Sequence, residues 1–115
     1  MPPAVGDDEH IKGFILNKLY EGHYFGRSGA RRHGRHTSVD NLPKGYEPKF
    51  RGKFPRIVGE MKKGSTELII VFPSTGGEHV CANLDQVERG LEICNRYRQS
   101  VGLHLLDRSF REVHL

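Results

Sequence analysis

The chemistry-bearing residues of this chain are concentrated in one stretch, from His23 to Lys63. It holds eleven Lys/Arg: Arg27, Arg31, Arg32, Arg35, Lys44, Lys49, Arg51, Lys53, Arg56, Lys62 and Lys63. Only Asp40, Glu47 and Glu60 oppose them, so the stretch carries about +8 while the other 74 residues carry about −4. The formal net charge of +4 hides this asymmetry. Clustered cations of this density suit a polyanion, because each contacted phosphate releases condensed counterions. Tyr24, Phe25, Tyr46, Phe50 and Phe54 are interleaved with the charges and are candidates either for the core or for stacking on bases. A solvated basic face with no partner is the plain alternative.

Other chemistry is sparse. His33 and His36 form an HxxH pair, but arginines flank it, and neither Cys81 nor Cys94 belongs to a CxxC motif. Both thiols are expected to be reduced, small buried hydrophobes, and no metal and no cofactor is expected. His36 with Asp40, or His79 with Glu78, are the pairs that could exchange protons. No GxSxG, P-loop, HExxH or GxGxxG motif accompanies them, so the expectation is a protein that is not an enzyme.

The elements that must position the cations can be read from periodicity. Asp7 or Asp8 can cap a helix over about 8–21, in which Ile11, Phe14, Ile15, Leu19 and Tyr20 share one face. Residues 1–7, with two prolines and a glycine, are expected to be a disordered tail. Residues 26–37 hold too little apolar surface to offset ordering, and predict a flexible basic loop. Thr37 or Ser38 can open a short helix that Pro43 and Gly45 stop. Pro48 can open a third helix over 48–63, with Phe50, Phe54, Ile57, Val58 and Met61 on one stripe and the cations off it. Pro55 would kink or restart it.

ELIIVFP and HVCANL then predict a β-hairpin over a Gly-Gly tip. A last helix starts near Asp85. Its stripe of Val87, Leu91, Cys94 and Val101 either covers the core or forms the seam of a homodimer; the spacing leaves both open. Residues 103–115 are a C-terminal extension of undecided structure.

A chain of 115 residues fits a single domain over 1–115. Its mean hydropathy of −0.58 predicts a small core, and its pI near 9.3 favours acidic partners. The N-terminus lacks an apolar signal region, and the longest apolar run, Leu68 to Phe72, is too short for a bilayer, so a cytoplasmic protein without membrane contact is expected.

The order helix, basic loop, short helix, basic helix, hairpin, helix is that of an α+β winged helix: a three-helix core, a two-stranded wing and a C-terminal helix. The phrase GRHTSVDNLPKGY, followed by a Pro-started basic helix, resembles small uncharacterised archaeal winged-helix (helix-turn-helix) proteins over roughly residues 10–84. The chain departs from them in the enlarged basic loop at Arg27 to Arg35, in Pro55, in a less regular third helix and in a longer C-terminus. The resemblance implies the fold, and nucleic-acid binding only as winged helices commonly use it.

The expected function is nucleic-acid binding, with duplex DNA favoured over RNA, as in a transcriptional regulator. Arg27, Arg31, Arg32, Arg35, Lys49, Arg51, Lys53, Arg56 and Lys62 are the expected contacts, from the third helix, the wing and the Arg-rich loop. The alternative is a protein-interaction module or an RNA- or ribosome-associated adaptor that uses the same face. A small metal-dependent enzyme ranks third.

Overall fold

The computed structural model describes residues 2–27, 34–63 and 67–107. Helix α1 spans Asp8–Glu21, α2 Phe54–Met61 and α3 Val87–Ser100. Strands β3, Ile69–Ser74, and β4, Gly77–Asn83, form the hairpin. The fold is α+β, with three helices and a β-hairpin wing in a winged-helix-type arrangement.

Each predicted helix appears, with differences that follow from its residues. The short helix is a single 3₁₀ segment, Val39–Asn41, with the Ser38 hydroxyl accepting from the Asp40 N–H at 3.2 Å. The third helix is not α-helical throughout. A 3₁₀ lead-in, Pro48–Lys53, precedes α2. Pro55 lies in the first turn of α2, where a missing N–H breaks no helical bond, so it restarts the helix rather than bending it.

Two short strands were not foreseen. Strand β1, Phe25–Gly26, pairs parallel to β4, and β2, Thr37–Ser38, pairs antiparallel to the same edge. Strand β3 occupies the other edge, with Ile69 opposite Ala82 and Ser74 opposite Gly77. Both stems of the basic loop are therefore fixed to the central strand of a small sheet. At the hairpin tip Gly76 has φ +88°, the left-handed region that tight turns assign to glycine.

The core lies between the apolar faces of the three helices and the inner face of β3 and β4. Ile11, Ile15, Leu16, Leu19, Leu42, Ile57, Ile69 and Val80 are fully buried. Most of the α3 stripe is covered within the chain: Val87, Leu91 and Cys94 are buried, as is the neighbouring Tyr97, and α3 packs closely on α1. This part of the α3 face is occupied by α1, while Val101 at its end is exposed.

The close packing of α1 on α3 rests on two glycine–tyrosine contacts that repeat in antiparallel register. A Cβ on Gly13 would stand 2.3 Å from Tyr97 Cβ, and one on Gly90 would stand 2.0 Å from the Tyr20 hydroxyl. Gly90 lowers helix propensity in sequence terms. It is required here because Tyr20 fills the space a side chain would take.

The N-terminal segment contributes buried residues and a hydrogen bond to the fold. Pro3 and Gly6 are buried. The Gly6 N–H donates to the Tyr46 hydroxyl at 2.8 Å, and Gly6, at φ +93°, lies against the Phe50 ring. At the other end, residues 103–107 run back beside α3. There the Asn95 amide donates to Leu106 O and accepts from Leu106 N, both at 2.8 Å. Leu106 is partly buried while Leu103 and Leu105 are exposed. Residues 108–115 lie outside the described part.

Gly90→Ala should destabilise the protein by about 1–3 kcal/mol in chemical denaturation, although alanine favours a helix, because the core is overpacked. In the Tyr20→Phe background the remaining ring carbon is 3.3 Å from the new Cβ. There the same substitution should cost less than half as much. Equal costs in both backgrounds would exclude a clash with the Tyr20 hydroxyl.

Candidate nucleic-acid interface

The expected cations divide by what already neutralises them. Arg56, on α2, makes a bidentate pair with Asp8 at 2.9 and 3.0 Å, and its Nη1 also donates to Glu60 at 3.0 Å. The guanidinium holds the Asp8 carboxyl below its ordinary pKa. Lys12 approaches Glu60 at 3.6 Å, so this corner of α1 and α2 is a local network of mixed charge. Arg27 pairs with Asp85, at the start of the 3₁₀ segment that leads into α3. Both arginines thus have a carboxylate partner while their side chains stay more than half exposed. These pairs are exposed or only partly buried and contribute little to stability individually.

The lead-in to α2 is different. Arg51 Nε donates to Tyr46 O at 3.1 Å, and Lys53 Nζ donates to Gly6 O at 2.8 Å. Lys49 and Lys53 lie over the Phe50 ring at 5.0 and 5.6 Å. Carbonyls and aromatic faces orient these side chains without cancelling their charge. Lys49, Arg51 and Lys53 are all exposed. Lys62 is exposed just past the end of α2, and Arg35 lies over Tyr24 at 5.1 Å. Arg31 and Arg32 fall outside the described residues.

The remaining surface of α2 is not basic. Pro55, Gly59 and Lys62 edge a cleft of about 350 Å³ between α2, the 39–43 turn and the hairpin, with Val39, Val71 and Glu78 on its other walls. Lys62 is the cation on this edge. The hairpin tip, Pro73 to Glu78, is exposed and carries no cation.

The aromatics resolve mainly into core. Phe25, Tyr46 and Phe54 are buried. Tyr46 meets Phe14 at 4.9 Å and Phe54 at 5.3 Å, edge to face. Of these five, Tyr24 and Phe50 keep partly exposed rings, and both carry a cation. His10 is buried with its Nδ1 2.8 Å from the Tyr46 hydroxyl, and burial lowers its pKa.

One residue that frames this region was not singled out by sequence. Lys18, in the last turn of α1, donates to Asn41 O at 2.7 Å, Leu42 O at 3.2 Å and Lys44 O at 2.5 Å. An ammonium has three protons, and here each has a carbonyl. The turn that leads to the basic segment is closed by this cation, which also lies 5.0 Å from the Phe14 ring centroid. Desolvation lowers the Lys18 pKa, with help from Lys44 and Arg51. A lysine in the last turn of a helix usually needs no explanation beyond the helix dipole, so nothing local marked it.

Both cysteines are buried and free. Burial pushes the Cys81 thiol up to about 11 and the Cys94 thiol up to about 12, which leaves them protonated and poorly nucleophilic. Among the described residues no three His, Cys, Asp or Glu side chains converge as a metal site would require. No helix among them is long and apolar enough to cross a membrane. Comparison of the chain with protein-family models, curated proteins and solved structures found no match.

Lys18→Met keeps the apolar stem and removes the three donors. It should cost about 1.5–3 kcal/mol in urea unfolding, the range for losing hydrogen bonds to a charged group. A Lys18→Met protein as stable as wild type would show that the turn closes without the ammonium.

Proposed function

We propose that this protein binds nucleic acid, duplex DNA ahead of RNA, as a transcriptional regulator would. The observation that carries this reading is the lead-in to α2. There Lys49, Arg51 and Lys53 lie within five residues, oriented by carbonyls and by Phe50 but bonded to no carboxylate among the described residues. Phosphates would meet cations whose geometry is set and whose charge is intact, so binding displaces only water and counterions. Lys62 and Arg35 extend the same contact. Arg31 and Arg32 belong to the loop whose two stems pair with β4, beside the hairpin. Arg56 and Arg27 contribute less, because a phosphate must first displace their carboxylates.

A second use has its own observation. The cleft beside Pro55 and Gly59 is mainly apolar, and suits a side chain of a partner protein better than a phosphate. An interaction module or RNA-associated adaptor would use that cleft, with the cations at its margin.

The two are separated by duplex binding followed by fluorescence anisotropy at several salt concentrations. Each of Lys49→Ala, Arg51→Ala and Lys53→Ala should weaken binding and lower the salt slope by roughly one unit. Arg56→Ala should leave the slope unchanged and alter stability by less than about 1 kcal/mol. A triple Lys49/Arg51/Lys53 alanine variant with wild-type affinity and slope would exclude the lead-in as the contact. The protein-interaction reading would then stand ahead.

A further inference from the structure

Two histidines that sequence spacing kept apart meet on the sheet. His36 immediately precedes β2, and His79 lies on β4 opposite Ser38. Their Nδ1 atoms are 2.8 Å apart, with ring centroids 4.9 Å apart and planes at 74°. Phe72, opposite His79 on β3, closes one side with its ring 5.0 Å from His36. Both histidines are half-buried, so solvent reaches the pair. We propose that His36 and His79 form a binding site for a divalent transition metal of tetragonal preference, Cu(II) or Ni(II), with water completing the coordination. This inference is independent of nucleic-acid binding.

The two nitrogens share a hydrogen bond, which sets their separation, and the rings need little movement to chelate an ion of that class. Two imidazole nitrogens bound at about 2.0–2.1 Å in cis positions near 90° lie roughly 2.9 Å apart, whereas a tetrahedral ion spreads them to about 3.3 Å. The observed 2.8 Å is close to the first value. In the metal-free pair one Nδ1 carries a hydrogen and the other accepts it. On binding, the donor ring moves its proton from Nδ1 to Nε2 through solvent. Both Nδ1 lone pairs then face the metal and both Nε2 atoms carry hydrogen, so the neutral pair loses no net proton. Strand β4 fixes His79, and β2 begins directly after His36, so little ordering remains to oppose binding. Arg35, the nearest cation in sequence, has its guanidinium over Tyr24.

The test is Cu(II) titration of the full chain by calorimetry and electron paramagnetic resonance. The expected result is one site with a tetragonal signal split by two equivalent nitrogens. Affinity should fall at least about tenfold in His36→Gln and again in His79→Gln, each checked for folding by circular dichroism, because removing a ligand costs at least what loss of its supporting contacts does. His23→Gln and His104→Gln should bind as wild type. A measurement on the unaltered protein needs no variant: substoichiometric Cu(II) should broaden amide signals first around residues 36–37 and 79–80. Wild-type affinity in both folded variants, or broadening centred elsewhere, would overturn the site and leave only adventitious binding to scattered histidines.

Discussion

The geometry of the basic region depends on one ammonium group. Lys18 reaches from α1 to three carbonyls of the 41–44 turn. That turn is short and 3₁₀ in character, with no α-helix of its own to satisfy its carbonyls. Without a donor the part-buried carbonyls of Asn41 and Leu42 would lose their charged partner, which is costly. With Lys18 in place, Leu42 enters the core and Tyr46 reaches His10, Phe14 and Phe54. Tyr46 then supplies two anchors for what surrounds it. Its hydroxyl receives the Gly6 N–H, and its carbonyl receives Arg51. Lys53 closes the circuit by returning to Gly6 O. The N-terminal segment, the turn and the lead-in to α2 are thus held in a single hydrogen-bonded ring.

The other half of the molecule is held by shape. Gly13 and Gly90 admit Tyr97 and Tyr20 at opposite ends of the α1–α3 contact, so these helices approach closely and bury the stripe of α3. Behind this contact Asn17 accepts from Arg98 at 2.6 Å and donates to Glu21, also at 2.6 Å. The polar groups placed between the helices are therefore paired, as burial requires. Strand β4 joins the two halves, since β1, β2 and β3 all pair with it. The basic loop enters and leaves along that strand, and the same pairing brings His36 to His79.

What could be read from sequence was whatever has a period. Helix α1 matches its expected limits of 8–21, and α3 and the hairpin match to within a few residues, because buried stripes and alternation are local signals. Strands β1 and β2, two residues each, have no period to detect; only their partner β4 defines them. The concentration of charge between His23 and Lys63 is a sequence fact, but which charges remain unneutralised is not. Arg56 is 48 positions from Asp8 and Arg27 is 58 from Asp85, so no spacing rule anticipates either pair. Gly90 had a plain local cost, and only its neighbour Tyr20 explains it. His36 and His79, 43 residues apart, became a pair only through strand register.

The most direct test of function is a nuclear magnetic resonance titration of the labelled protein with a short random DNA duplex at low salt. Amides of residues 44–53 and 62–63 should shift together and saturably, as should Arg35, while Asp8, Arg56 and Glu60 stay near their free positions. Shifts confined to the cleft at Val39, Pro55 and Gly59, or to the exposed leucines at 103 and 105, would contradict a phosphate contact at the α2 lead-in. So would a titration without any shift.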